Sequence, residues 1–312
     1  AWRSPRARGA RWRRRGTTSA EGIRAARQCH RHGRCTALGA AVGDAAATAG
    51  RGGQVRGGRG AMAVPGDDER RGFPRDEEDS RRRVSPSNAR NKGSILEVLR
   101  KHLLADAAGT SACGGSGFIL EIASGTGEHL AHFAAALPEF RFQPSEWNGH
   151  ASVEHQAQDI EDICQSILAW TEGLPNVLRP IALDASAPRW PDVLEPVAGQ
   201  PPHLSAILAS NIAHIAPPEV VRGLLEGAGR LLRPGGLLFL YGPFSESGQA
   251  LAEGNATFDA KLKATDETWG LREVGEVVEM AGRVDLRLVC VEDMPSNNKT
   301  LIFAKRAHPH SE

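Results

Sequence analysis

The chain has 312 residues, 40% of them apolar and 24% charged, with a formal net charge of +1. Such averages are ordinary for a globular protein, and the length allows one large domain or two small ones. No run approaches the ~20 apolar residues of a membrane span, no secretory signal core is present, and the scattered cysteines make neither a disulfide framework nor a zinc ribbon. A soluble, reducing, cytoplasmic setting with no membrane partner is the default expectation.

The averages conceal an uneven chain. Residues 1–60 hold fourteen Arg against two acids, Glu21 and Asp44, within long Gly and Ala stretches. Three readings fit this tract. An acid-poor, Arg-rich segment resembles an organelle transit peptide, which would change the destination to an organelle. Arg51-Gly52-Gly53 and Arg56-Gly57-Gly58-Arg59-Gly60 resemble an RGG-type RNA-binding tail. The third reading takes Met62-Ala63 as the true start and what precedes it as translated upstream sequence. Cys29, His30, His32 and Cys35 offer four metal ligands close together, but tetrahedral zinc sites draw ligand pairs from two separate elements. No metal is expected. Residues 62–83 mix dense charges of both signs and read as a solvated tail. The expected division is a disordered tail over 1–83, one folded domain over 84–306 and a short tail over 307–312.

Beyond Val84 the acids outweigh the bases, so the folded part has no general affinity for nucleic acid. Ser94-Ile95-Leu96-Glu97 has the spacing of a capping box, followed by Val98, Leu99, Leu103 and Leu104 on a helical period. Residues 117–123 form a short buried strand that runs into a Gly-rich turn. Leu130, Phe133, Ala134 and Leu137 mark the next helix, closed by Pro138. Residues 140–143 are the second strand, and 153–168 a helix that stops near Gly173. Residues 177–183 and 204–209 are the third and fourth strands. Pro217-Pro218 opens another helix, and Pro234-Gly235-Gly236 turns into a fifth strand over 237–241. After helices near 258–263 and 274–280 come two strands, 286–292 and 300–304, too close together for a helical crossover. They must pair as an antiparallel hairpin. The predicted fold is α/β: a Rossmann-like doubly wound sheet, mostly parallel, with a C-terminal antiparallel hairpin.

Ligands of such sheets sit at the carboxyl ends of the strands, at the switch in strand order. Here the first strand ends Glu121-Ile122-Ala123-Ser124-Gly125-Thr126-Gly127. Gly125 and Gly127 let the backbone pass close to a ligand, and the helix starting near Glu128 aims free N–H groups at the same place. A dinucleotide fingerprint fails, because Leu130 fills its third glycine position. Glu146 follows the second strand, where a carboxylate can accept from two ribose hydroxyls. Asp184 closes the third strand, where it can accept from an adenine amino group, and Asn211 closes the fourth at the pocket mouth. His214 lies near the end of that strand and titrates near neutrality, which makes it the best candidate for a base. His129 reads as structural or carboxylate-binding.

Together the run from Glu121 to Gly127, the acid after strand two, Asp184 and Leu232-Arg233-Pro234-Gly235-Gly236 resemble the class I S-adenosylmethionine-dependent methyltransferases. More narrowly, the chain resembles the methyltransferase-like 26 family. That resemblance rests on Ser85-Pro86-Ser87-Asn88-Ala89-Arg90-Asn91, on Ile122-Ala123-Ser124-Gly125-Thr126-Gly127-Glu128-His129 and on Gln143-Pro144-Ser145-Glu146. It continues through Asn211-Ile212-Ala213-His214-Ile215, Tyr241-Gly242-Pro243-Phe244, Trp269-Gly270-Leu271-Arg272 and Asp293-Met294-Pro295-Ser296-Asn297-Asn298-Lys299. Nothing before Val84 takes part.

The resemblance implies S-adenosylmethionine as cofactor and methyl transfer to a small molecule by in-line displacement. Glu121, Ala123, Ser124, Gly125 and Gly127 would hold its methionine and ribose side, Glu146 the ribose, Asp184 the adenine and Asn211 the pocket mouth. Asn91, Tyr241, Asp293, Asn297 and Asn298 are expected on the substrate side. Two departures stand out. Ala123 occupies a usual glycine position, which is tolerable if the backbone there is not left-handed. The Asn-Pro-Pro-aromatic motif of many amino-group methyltransferases is missing, since Ile212-Ala213-His214 follows Asn211. Two alternatives remain open: a non-catalytic cofactor-binding regulatory module, and a nucleotide-dependent oxidoreductase.

Overall fold

A computed structural model of the protein describes residues 73–104, 116–147, 153–194 and 203–307. The Arg/Gly tract, the cluster at 29–35, Met62 and residues 308–312 lie outside the described residues. Helix α1 (Pro86–Leu103) opens after Ser85, still extended at φ −125°, with Pro86 at the first helical position, where its missing N–H matters least. The cap expected at Ser94 therefore falls inside the helix, because this proline starts it earlier. Next come β1 (Gly117–Ile122), α2 (Glu128–Ala136), β2 (Phe140–Glu146), α3 (Val153–Trp170) and β3 (Ile181–Ala182). The second half runs β4 (Leu204–Ser210), α4 (Pro218–Leu231), β5 (Leu232–Gly242), β6 (Phe244–Ser245) and α5 (Glu253–Thr265). It ends with β7 (Arg272–Glu273), α6 (Val274–Gly282), β8 (Leu286–Met294) and β9 (Asn298–Lys305).

Seven of these strands form one sheet in the order β3-β2-β1-β4-β5-β9-β8. The chain winds outward from β1 to β3, then crosses back to lay β4 on the other side of β1. β1 thus pairs in parallel with both β2 and β4, which makes their junction the switch point. β9 runs antiparallel between β5 and β8, as the short connection required. The predicted fold class is the observed one.

Alternate residues of the central strands face opposite layers, so each strand is apolar on both sides. Leu120, Ile122, Ile207 and Leu238 pack with Leu224, Leu225 and Val277 of α4 and α6. Ile119, Leu208 and Phe239 pack on the other face with Leu99, Leu130 and Phe133 of α1 and α2. No helix among the described residues is long and apolar enough to cross a membrane.

Two elements depart from expectation. The third strand shrinks to Ile181–Ala182, with Val177 bridging Phe142 on its own. Pro180 has no N–H for the ladder, and the Gln143 side-chain amide donates instead to the Arg179 carbonyl at 2.7 Å. In β5 the Pro234-Gly235-Gly236 turn is absorbed as an irregularity: Leu204 pairs Leu232, and the register jumps to Ala206 with Leu237.

The expected tail is also shorter than the sequence suggested. Residues 73–83 form a strap against α3. The Arg83 N–H donates to Ser166 Oγ at 2.8 Å, Trp170 Nε1 donates to the Arg83 carbonyl at 2.8 Å, and the Arg83 guanidinium pairs with Asp162 at 2.6 Å. Arg82 lies 4.9 Å above the Trp170 ring. Groups that looked solvated are placed by partners 79, 83 and 87 residues away, which no local pattern could announce. Removing residues 1–61 is expected to leave the melting temperature unchanged. Removing 1–83 should cost about 2–4 kcal/mol in lost hydrogen bonds and cation–π contact, or roughly 5–15 °C by differential scanning fluorimetry. Equal melting temperatures for the two truncations would show that the strap adds nothing.

Candidate active site

The site is built at the carboxyl edge of the sheet, where β1 gives way to α2. The turn carries three left-handed residues: Ala123 at φ 58°, Gly125 at 55° and Gly127 at 87°. The condition under which alanine was acceptable at 123 is therefore not met. A non-glycine residue here costs about 1–2 kcal/mol, and neighbouring bonds hold it in place. The Ser124 N–H donates to the Ser145 carbonyl at 2.9 Å, and Ser145 Oγ donates back to the Glu121 carbonyl at 2.8 Å. Two further donors reach Thr126: Ser166 Oγ to its carbonyl at 2.7 Å, and Asn88 Nδ2 to its hydroxyl at 3.2 Å.

The two glycines differ in role. A Cβ on Gly127 would lie 2.7 Å from the Ile167 backbone, so that glycine admits α3. A Cβ on Gly125 would meet nothing within 4 Å. Gly125 leaves the ligand side open.

Two buried carboxyls flank the turn. Glu146 Oε2 accepts the Gly125 N–H at 2.6 Å and Oε1 accepts the Trp147 N–H at 3.0 Å. Burial raises its pKa, and those two N–H groups oppose the rise. Burial pushes Glu121 up to about 8, and the Glu146 carboxylate adds to this. Asp184, after β3, directs Oδ1 at the N–H and hydroxyl of Ser186, 2.8 and 2.6 Å away. Asn211, after β4, is left-handed at φ 61°, and its N–H donates to the Tyr241 carbonyl at 2.8 Å. Trp147 stands next to Glu146 with 47% of its surface exposed.

The substrate-side candidates are partly brought together. Asn91 of α1 and Asn298 of β9 place their amides at the Tyr241 hydroxyl, whose pKa rises through burial despite them. Asn91 also accepts from His129 Nε2 at 2.6 Å, and His129 stacks on Phe133, so His129 is structural. Asn297 offers its carbonyl to Asn255 Nδ2 at 3.1 Å, and Asp293 sits on the rim, paired with Lys299 at 2.7 Å. Because Gly242 pairs with Lys299, the 293–298 turn lies at the same end of the sheet as Gly125.

His214 and Asn211 flank Gly242: a Cβ there would meet His214 Nδ1 at 3.3 Å and Asn211 Oδ1 at 3.8 Å. Burial drives His214 down to about 3, with the Arg272 charge adding to the effect. The imidazole is neutral at physiological pH and a weak base, better suited to accept a hydrogen bond than to take a proton. Glu246 and Asn255 were not singled out from sequence.

Among the described residues, eight buried polar side-chain atoms lack a partner, and six belong to this edge: Glu121 Oε2, Ser124 Oγ, Ser210 Oγ, His214 Nδ1, Asn255 Oδ1 and Thr300 Oγ1. Buried polar groups are nearly always satisfied, so a concentration of this kind singles out this edge as the candidate site. Residues 82–305, nearly the whole of the described region, match the family described as protein of unknown function DUF938. The chain belongs to this family.

Solved structures resemble this DUF938 protein in fold. An O-methyltransferase family 2 protein from Planctomyces limnophilus, in complex with apigenin, is 17% identical with a TM-score of 0.50, over 69% of this chain and 56% of its own. Human N-acetylserotonin methyltransferase in complex with SAM is 11% identical with a TM-score of 0.47, over 71% of this chain and 58% of its own. The DUF938 chain thus spans little more than half the length of these proteins. The first likeness shows the fold: the Rossmann-like arrangement of the methyltransferases.

Proposed function

We propose that this protein transfers a methyl group from S-adenosylmethionine to a small-molecule acceptor. The observation that carries the reading is the group of unpartnered buried polar atoms around an open, left-handed Gly125 turn at the switch point. The narrower kinship, with the methyltransferase-like 26 family, rests on the ordered motifs between Ser85 and Lys299. The catalytic unit is assigned to 84–306, with the strap from Phe73 as its brace.

The residues fit the cofactor. A carboxylate offers about four lone pairs, so each Glu146 oxygen, having accepted one N–H, keeps one for a ribose hydroxyl. Asp184 Oδ1 is taken by Ser186, which leaves Oδ2 for the adenine amino group. Gly125 would allow close approach, and Ser124 and Glu121 would hold the methionine end. When bound, the cofactor supplies an activated methyl on a positively charged sulfur. The chain then needs chiefly to hold an acceptor in line, an arrangement that can supply ~7–11 kcal/mol of the barrier. Asn211, His214 and Tyr241, with Asn91 and Asn298 on its hydroxyl, are assigned to that positioning.

Calorimetric titration of the full chain with S-adenosylhomocysteine and with NADH tests the reading. Saturable binding of the first alone is expected. Binding of NADH alone would replace the proposal with a nucleotide-dependent oxidoreductase. Cofactor binding with no labelled methyl passed to cell extracts would favour a regulatory module.

Glu121 gives the proposal a pH signature. Its carboxyl is protonated up to about 8, whereas the cofactor's cationic charge favours the ionised form. S-adenosylmethionine affinity should therefore rise about tenfold per pH unit between pH 6 and 8, then level off. Protons should be released on binding, measurable in buffers of different ionisation enthalpy. Affinity that is flat across this window would remove Glu121 from the cofactor.

A further inference from the structure

Trp269-Gly270-Leu271-Arg272 ties together the two loops that leave β4 and β5 at the candidate site. Its backbone is fixed beside the second loop. β7 lies parallel to β6 with Arg272 opposite Phe244, and Ser245 Oγ donates to the Arg272 carbonyl at 3.3 Å. The arginine side chain reaches the first loop. Its Nε donates to the Ala213 carbonyl at 3.0 Å, and Nη2 donates to the carbonyls of Ala216 at 2.5 Å and Thr268 at 2.8 Å. The Gly270 N–H adds a bond to the His214 carbonyl at 3.0 Å, and Asp259 Oδ1 accepts the Leu271 N–H at 2.8 Å. The backbone is thus held at His214 and on both sides of it. The His214 imidazole is buried edge-on against Phe258, with ring centroids 5.4 Å apart. Its Nδ1 lies toward Gly242 and has no partner.

We infer that Arg272 is a positioning residue that acts through His214: its fork holds the 213–216 backbone so that the imidazole stays beside Gly242, at the place assigned to the methyl acceptor. The inference rests on the methyltransferase reading above. Arginine suits the task because its planar guanidinium presents several N–H groups in fixed directions, so one side chain holds three carbonyls on two segments. A lysine would keep the charge, but a single nitrogen on a flexible stem cannot keep that spacing. The charge has an effect of its own. Burial is the main cause that keeps a proton off His214, and Arg272 adds to it. Phe258 and Gly242, the other groups beside the ring, carry no charge. His214 therefore presents a neutral ring, with one N–H and one lone pair in a fixed orientation. A protonated ring would instead set a second positive charge beside the sulfonium.

The test compares Arg272→Lys and Arg272→Met with the wild-type full chain in three readings. These are S-adenosylhomocysteine affinity by calorimetry, labelled methyl passed from S-adenosylmethionine to cell extracts, and the His214 ring signals by NMR between about pH 8 and 5. His214→Gln assigns those signals. In the wild type they should stay fixed across this range. Both variants should keep S-adenosylhomocysteine affinity within about threefold and lose at least about tenfold in methyl transfer, with no rescue by lysine. In Arg272→Met the His214 signals should begin to titrate, because the charge is gone and water reaches a loosened loop. In Arg272→Lys they should move already at neutral pH, because the ring is no longer held in one orientation. A folded variant with undiminished methyl transfer, full rescue by lysine, or a loss of cofactor affinity as large as the loss of transfer would overturn the inference. If both variants fail to fold, the wild type decides. Its Arg272 Nε–H should exchange slowly and show a nuclear Overhauser contact to Ala213; fast exchange, or a His214 that titrates near neutrality, would overturn the inference. A wild-type chain that binds no S-adenosylhomocysteine or passes on no methyl removes the methyltransferase reading and this inference with it.

Discussion

Gly125→Ala is expected to abolish S-adenosylhomocysteine binding with little change in stability, whereas Gly127→Ala is expected to unfold the protein at a much lower temperature. Both glycines are left-handed, so each alanine carries about 1–2 kcal/mol of backbone strain. At 125 nothing in the protein meets the new methyl, which projects where the cofactor is assigned. Its melting temperature should fall by roughly 2–8 °C, and calorimetry should show no binding. At 127 the methyl would stand 2.7 Å from the Ile167 backbone, which overpacks the junction of α2 and α3. That adds about 1–3 kcal/mol, for a total of roughly 2–5 kcal/mol and a loss of about 5–20 °C. From sequence, Gly127 was as good a ligand contact as Gly125; the position of α3 separates them. Wild-type affinity in Gly125→Ala would place the cofactor elsewhere.

Glu146→Ala should weaken binding severely while leaving a folded protein. Two hydrogen bonds to ribose hydroxyls, charge-assisted at about 1.5–3 kcal/mol each, would be lost, which is roughly a hundredfold to ten-thousandfold in affinity. The Gly125 and Trp147 N–H groups would lose their acceptor as well, loosening the turn. Glu146→Gln keeps one acceptor oxygen and should fall between. Circular dichroism establishes the fold of each variant and calorimetry reads the affinity. A folded Glu146→Ala protein that binds as wild type would refute the ribose assignment.

The architecture was readable because its causes are local. Apolar runs at 118–120, 206–209 and 237–241 read as buried strands, and the short link between the last two strands left no choice but a hairpin. The acids at 146 and 184 could be singled out because one ends a strand and the other follows one. What the sequence concealed depends on distant partners. Ala123 is left-handed because Ser145, on the next strand, fixes the turn from outside. His214 sits near a strand end, as expected, but only the packing of Phe258 and Arg272 around it shows how far its basicity falls. Glu246 and Asn255 belong to no motif and meet the hairpin turn only in three dimensions. Pro180, by contrast, was visible and should have shortened the third strand on sight.

The switch point also has a kinetic meaning. β8 and β9 pair around a short turn, with Met294 beside Asn298, and can close early. The contact of β1 with β4, such as Ile119 with Ala206, closes a loop that holds two intervening strands and two helices, and so forms late. The Gly125 turn and the strand ends facing it exist as one surface only after that closure. A chain on its way to the native state therefore has nothing for the cofactor to grasp. Ligand that binds only the finished edge stabilises the native state without touching the folding barrier, so it lengthens the lifetime of the folded protein and leaves the speed of refolding unchanged.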